Sequence, residues 1–462
     1  MKTRIEKDSL GELEVPEEAY YGVQTARAIE NFQISSLRLQ FEFIRSLAWI
    51  KGAAARTNRD LGLLDDEKAQ AIDQVATDIA GGKLQDQFVI DVFQAGAGTS
   101  FHMNMNEVIA NRACEILGSR KGDHKLVSPN DHVNMGQSTN DVIPTAMRLT
   151  ALALSSPLLE AVEKTKEAFE GKATEFDSFV KSGRTHLQDA VPLRLGQEFG
   201  GYAAAMKRAH VQVSQAAPGL QELGLGGSAA GTGLNTHPQY RATVVRHLCE
   251  ITGYSLKPAE NYFEAMQSMA PFTTFSASLR NLALECIRIA NDLRLLASGP
   301  NTGFNEIQLP AVQPGSSIMP GKVNPVMAEM LDMVCFHVVG ADTCIAMAAQ
   351  AGQLELNVMM PVIAYNLFLS ATILTRALNS FREKCVVGIT ANREVCRRYA
   401  ENTLALATVL NPHIGYLKAA EVVKESVKTG KTIKEIVLER ELLTQDQWNE
   451  IFDLRRLTEP NL

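Results

Sequence analysis

Aromatic residues make up only 6% of this 462-residue chain, and none recurs with basic neighbours in the way a base-stacking surface requires. Positive charge is short as well: 45 Lys and Arg against 52 Asp and Glu leave a formal charge of −7. Both shortages argue against a nucleic-acid binder, which concentrates positive charge on one face. Cysteine is sparse and scattered, at 114, 249, 286, 335, 344, 385 and 396, with no CxxC pair. These positions read as buried free thiols of a reducing compartment. The nine His are dispersed, with no HxH or HxxxH, so the spacing of a metal site is missing. No apolar run approaches the roughly 18 residues of a membrane span. The opening MKTRIEKDSLGELEVPEEAYYG has no apolar targeting core, and the expected location is the cytoplasm.

What is present is apolar periodicity at helical spacing. Hydrophobic residues reach 45% and charged ones 21%, the balance of a globular chain long enough for two or three domains. Residues 1–36 are charged and turn-rich, an arm expected to hold a strand or two. Strong helix formers then dominate from Phe41 to about Leu61 and from Asp65 to Ala80, where Gly81 and Gly82 stop the pattern. Residues 103–118 read as a helix, 143 to about 180 as a helical stretch interrupted at Pro157, and 196–217 as another helix. From Phe275 to Leu296 the apolar positions Phe275, Leu279, Leu282, Cys286, Ile289, Leu293 and Leu296 repeat at 4-3-4-3-4-3 spacing. That describes a rod of roughly 30 Å with one apolar seam. Segments 326–349 and 354–381, the second expected to bend at Pro361, extend the pattern to a long bundle. So many apolar faces exceed what one chain can cover, which points to oligomerisation. After about Ile389 the helices shorten, and TIKE at 432–435 and TQDQ at 444–447 have capping-box form.

Polar breaks interrupt this apolar background at GAGTS (96–100), GQSTND (136–141), GRTHLQD (183–189) and PGSSIMPGKVN (314–324). The last is the densest. Its Gly and Pro residues exclude a helix interior, and five residues separate Gly315 from Gly321, with Val323 after Lys322. A phosphate-binding loop needs four residues there and a Ser or Thr after the Lys, so that reading fails. GLGGSAAGTGLNTHP at 224–238 fits a loose dinucleotide pattern, but helix-like AAPGLQEL precedes it where a strand is needed. It reads as a tight turn where chain segments approach closely. Pooled, the breaks supply Thr99, Ser138, Thr139, Asn140, Thr185, His186, Ser316, Ser317, Lys322 and Asn324. This donor-rich set with one sure cation suits a small di- or tricarboxylate and neither metal nor cofactor, with chemistry confined to acid–base and electrostatic work.

GSSIMPGKVNP at 315–325 matches the signature of the fumarase/aspartase superfamily of C–X lyases. The resemblance continues through GTS, QSTND, GRTHLQDAVP, NDLRLLASGP, LNVMMP and NPHIGY, and so covers essentially the whole chain. Within the superfamily, YYGVQT, RAIENF, GTS and QSTND resemble the ammonia-lyases more than the class II fumarate hydratases, which stay the alternative. ASLRNLALE leans toward the hydratases, Asn301 stands where Arg is usual, and Met360 stands where Glu is common. A non-catalytic scaffold with the lyase fold is a third reading.

The resemblance implies a mainly α, three-domain fold: an N-terminal, mostly helical domain over 1–139, a central long-helix bundle over 140–394 and a small helical domain over 395–462. It also implies a homotetrameric core, active sites composed from three subunits, and anti elimination of ammonia from L-aspartate to give fumarate. Ser316, His186 and Lys322 would carry the chemistry, with Ser316 as the base that takes the Cβ proton. Thr99, Ser138, Thr139 and Ser317 would hold the β-carboxylate and Lys322 and Asn324 the α-carboxylate, with Asn140, Thr185 and His186 around the amino group.

Overall fold

The computed structural model describes residues 2–460. An antiparallel hairpin of β1 (Thr3–Asp8) and β2 (Gly11–Pro16) leads into α1 (Val23–Asn31). The arm therefore ends in a helix where only extended chain was expected. Next come α2 (Phe41–Asp60), α3 (Asp66–Ala80) and α4 (Thr99–Ile116). The long α5 (Thr139–Glu175) is followed by a second hairpin, β3 (Val180–Thr185) and β4 (Gln188–Arg194), and by α6 (Leu195–Ala216). Helices α7 (Tyr240–Thr252), α8 (Tyr262–Gln267), α9 (Ala270–Leu296), α10 (Val326–Gln350) and α11 (Met360–Lys384) continue the chain. Shorter helices close it: α12 (Arg393–Asn402), α13 (Ala407–Ile414), α14 (Tyr416–Thr429), α15 (Ile433–Glu439) and α16 (Gln445–Ile451).

Two prolines behave differently from the sequence expectation. Pro157 lies within a continuous α5. Losing one backbone donor does not end a helix whose neighbouring Leu158, Ala161 and Val162 are held in the core. Pro361 causes no bend, because α11 starts at Met360 and places it in the first turn, where its missing N–H leaves no helical bond unmade. The heptad seam holds throughout: its seven side chains are at most 5% exposed. Both expected capping boxes form, Thr432 with Glu435 and Thr444 with Gln447.

The expectation about membrane-length segments is corrected. Thr139–Glu175, Val326–Gln350 and Met360–Gly388 are each long and apolar enough to cross a membrane by length and composition. Small apolar residues with few intervening charges raise their hydropathy even though single polar residues break every run. In α5, 78% of the apolar window is buried inside the protein itself.

The chain forms two compact units. Unit 1 comprises Met1–Leu159, Val211–Ala283 and Phe336–Leu374. Its core includes Phe43, whose ring lies 6.1 Å from Phe101 and 5.5 Å from Phe368, joining α2, α4 and α11. Unit 2 comprises Glu160–His210, Leu284–Cys335 and Thr375–Leu462. Here Phe169 and Phe176 of α5 pack on Phe199 of α6 at 6.2 and 5.2 Å. Unit 2 also carries a smaller cluster around Leu410, Val422, Ile436 and Trp448, drawn from the terminal helices. All seven cysteines are free thiols.

Candidate active site

The ten residues singled out by the sequence fall into three local groups. In unit 1, two helix N-termini lie side by side. Positive φ at Gly96, Ala97 and Gly98 turns the chain sharply into α4, and Thr99 Oγ1 closes the turn by donating to the Gly96 carbonyl at 2.6 Å. A Cβ on Gly98 would stand 2.9 Å from Ile143 of α5, so glycine is what lets the two helix starts approach. At the start of α5, Ser138 N–H donates to Asp141 Oδ1 at 2.9 Å and Asn140 N–H to Ser138 Oγ at 3.3 Å. The positive ends of two helix dipoles suit this corner to a carboxylate.

The turn at 224–233 fastens to the same corner. Gly226 and Ser228 N–H donate to Asp141 Oδ2 at 3.0 and 2.9 Å, and Asn140 Nδ2 donates to the Ala229 carbonyl at 2.8 Å. Close approach explains its small residues, since a Cβ on Gly226 would stand 2.7 Å from Arg241 Cγ. Burial pushes the Asp141 carboxyl up to about 6, against the pull of its backbone donors and of Lys51.

Thr185 and His186 lie at the tip of the β3–β4 hairpin in unit 2, and both are exposed. His186 and Leu187 form a two-residue turn with φ of 56° and 60°, a left-handed conformation that glycine or asparagine adopts at lower cost. Ion pairs anchor the β3 strand behind the turn. Lys181 Nζ lies 2.8 Å from both Glu198 Oε2 and Glu306 Oε2, and Arg184 Nη1 lies 2.9 Å from Glu306 Oε1. The Arg184 guanidinium also sits 4.2 Å from the centre of the Phe304 ring.

The third group is the 314–325 loop, also in unit 2. Gly315 N–H donates to the Lys322 carbonyl at 2.8 Å, and Asn324 Nδ2 donates to the Gly315 carbonyl at 2.6 Å, closing the loop into a ring. A Cβ on Gly315 would meet the Lys322 carbonyl at 2.4 Å, so only glycine permits this closure. Inside the ring, Ser316 Oγ receives the backbone N–H groups of Ile318 at 3.2 Å and Met319 at 3.0 Å. Two donors aimed at one hydroxyl oxygen form a cradle for negative charge, and they favour its deprotonated form. Lys322 is exposed and makes no ion pair among the described residues. The loop and the hairpin tip share no hydrogen bond among the described residues.

Sequence reasoning missed Lys51, His102, Asp141 and Glu306, the buried polar residues that hold these groups in place. Lys51 interrupts the apolar face of LAWIKGAAA, and His102 opens a helical run that is buried along its length. A charge inside an apolar stripe was the available signal.

A family model described as lyase matches residues 11–340, which contain all ten candidate residues. The chain belongs to this lyase family. A second family model, the fumarase C C-terminus, matches 406–459. Among the relatives of this lyase is an aspartate ammonia-lyase of Bacillus subtilis, 47% identical over 99% of this chain and 97% of that protein. Among solved structures, a fumarate lyase:delta crystallin from Brucella melitensis is 47% identical with a TM-score of 0.97, covering 99% of this chain and 100% of the other. A class II fumarase from Schistosoma mansoni superposes with a TM-score of 0.96 at 38% identity, over the full length of both chains.

Proposed function

We propose that this lyase is an aspartate ammonia-lyase that interconverts L-aspartate with fumarate and ammonia. The observation that carries the reading is the pair of backbone N–H groups on Ser316 Oγ, in a loop that also presents Lys322. A serine is a poor base at its free pKa, and this cradle stabilises the alkoxide that is needed. In the forward direction Ser316 Oγ takes the Cβ proton, and the electron pair of the broken C–H bond moves into the β-carboxylate as an enediolate. Thr99, Ser138, Thr139 and Ser317 hold that carboxylate. The pair then returns to form the C=C bond as the Cα–N bond breaks, and nitrogen leaves with the bonding electrons. Lys322 and Asn324 hold the α-carboxylate, while Asn140, Thr185 and His186 surround the amine. Asn140 and Asn324 each spend one amide hydrogen on a backbone carbonyl, which leaves the other for substrate.

The active form is a homotetramer whose sites are composed from three subunits. The support is α10, whose one side is buried through Leu331, Cys335, Val338 and Ile345 while Met333, Phe336 and Met347 on the other are 65, 57 and 61% exposed. A division into 1–139, 140–394 and 395–462 is supported in its last part by the separate terminal core. Seven unpaired thiols support a cytoplasmic location.

One incubation tests the activity: purified protein with fumarate, with and without ammonium, and identification of the product. Aspartate formed only with ammonium is the expected result, and malate formed without it would overturn the reading in favour of a class II fumarate hydratase. In the same assay Ser316→Ala, checked for folding by circular dichroism, is expected to lose roughly 10²–10⁴-fold in kcat.

A further inference from the structure

We infer that Lys51 and His102 form a buried hydrogen-bond relay that fixes Thr139 as a donor facing the substrate carboxylate, which makes His102 a positioning residue. The inference rests on the reading of Thr139 as a carboxylate-binding residue.

Lys51 is fully buried in the middle of α2, and no carboxylate lies within ion-pair distance of it among the described residues. Its Nζ instead faces three acceptors: Gln137 Oε1 at 2.8 Å, Asn134 Oδ1 at 3.3 Å and His102 Nε2 at 2.5 Å. The orientation of both amides is set from behind. Gln137 Nε2 donates to the carbonyls of Val133 at 3.0 Å and Met135 at 3.2 Å, and Asn134 Nδ2 donates to the Gln137 carbonyl at 3.3 Å. Each amide therefore turns its oxygen toward Lys51. An ammonium group has three donors and no lone pair. With two donors on the amide oxygens, the third goes to His102 Nε2, which must then be unprotonated.

A neutral imidazole with a bare Nε2 carries its proton on Nδ1. His102 Nδ1 lies 2.9 Å from Thr139 Oγ1, so it donates and the threonine oxygen accepts. The threonine O–H has no acceptor among the described residues, and the side chain is half-buried at the start of α5. Its hydrogen is therefore available to a ligand at the helix corner. With the opposite tautomer, Thr139 would donate inward to Nδ1 and turn lone pairs toward the carboxylate. The surroundings support the neutral imidazole, because burial and the adjacent Lys51 both hold its pKa well below the usual range. Burial holds the Lys51 pKa well below its usual range; Asp141 acts the other way, as do the two amide oxygens that accept from the charged form. The charge of Lys51 thus polarises a chain of two hydrogen bonds ending on the hydroxyl. Its effect grows as charge accumulates on the enediolate, so it acts on kcat more than on KM.

The test is a double-mutant cycle in the full-length enzyme with L-aspartate, using Thr139→Val, His102→Phe and the pair together. Each single variant is expected to lower kcat by roughly 10²–10³-fold with KM little changed, and the double variant is expected to be no slower than Thr139→Val alone. Multiplying losses would overturn the relay. Removing His102 leaves a buried donor of Lys51 unpaired and can unfold the chain, so a second measurement uses the unmodified protein. Solid-state 15N spectra of the histidine-labelled enzyme without substrate should show His102 protonated on Nδ1 and bare on Nε2, and protonation on Nε2 would overturn the proposal. That reading needs no turnover. An inactive wild-type protein with the expected tautomer would remove the ammonia-lyase assignment and leave the direction of the hydrogen bonds standing, while an active one with the opposite tautomer would remove the relay alone.

Discussion

Glu107 holds the N-terminus of α1 by accepting hydrogen bonds from Gly22, Gln24 and Thr25 N–H at 2.9, 2.8 and 3.1 Å and from Thr25 Oγ1 at 2.6 Å. Burial pushes its pKa up to about 7, and these donors pull against that rise. The folded-state value lies above the ordinary 4.5, so the folded chain binds this proton more tightly than the unfolded one. Stability linked to Glu107 is therefore complete below about pH 4.5 and is lost as pH rises through about 7. Glu107→Gln turns an amide NH2 toward backbone donors and is expected to cost about 1–3 kcal/mol. Measured by chemical denaturation, that deficit should shrink between about pH 4.5 and 7.5; a deficit that stays constant would mean that the carboxylate ionises at its ordinary pKa, and one that grows that its folded-state value is depressed. In the sequence Glu107 is one charge within the helical run 103–118. What it holds could be seen only once α1 was placed against α4.

The long helices were legible because burial repeats along them: the seam from Phe275 to Leu296 is visible at 4-3 spacing and lies inside the core. Short elements carry too few periods for that. The β3–β4 hairpin read only as a polar break, since its turn uses His186 and Leu187 at positive φ where the usual Asn-Gly signal is missing. Its β3 strand is anchored by ion pairs to Glu306, which is remote in sequence. In the 314–325 loop the composition disclosed the element, and the structure adds the Gly315–Lys322 closure. Gly315→Ala places a Cβ against the Lys322 carbonyl and should open the ring that aims two N–H groups at Ser316. Because the loop is largely exposed, the melting temperature should change little while kcat falls by more than tenfold, on the order of one missing transition-state hydrogen bond. Normal turnover in a folded Gly315→Ala protein would count against the cradle.

At the scale of the whole molecule, the three site groups and the uncovered side of α10 bear on the same question of assembly. Each group is shaped by its own local contacts: the paired helix starts by Gly98 and Asp141, the hairpin tip by Glu306, the loop by Gly315. Phe336 is 57% exposed at the centre of the apolar side of α10. Phe336→Glu places a charge where a subunit contact would have to desolvate it. The expected outcome is a lower mass by light scattering, with aspartate turnover lost in parallel and helix content kept. A tetramer of unchanged mass and activity would exclude this face from the assembly.

By itself the sequence determined the helical class, the bundle seam and the four polar breaks, because those follow from local propensity, periodicity and the few residues able to serve a carboxylate. Only the tertiary structure decided how the breaks are held. Lys51, His102 and Thr139 are 51 and 37 residues apart along the chain, and no periodicity links them. Their hydrogen bonds exist because packing α2, α4 and α5 buries an ammonium that must find three acceptors.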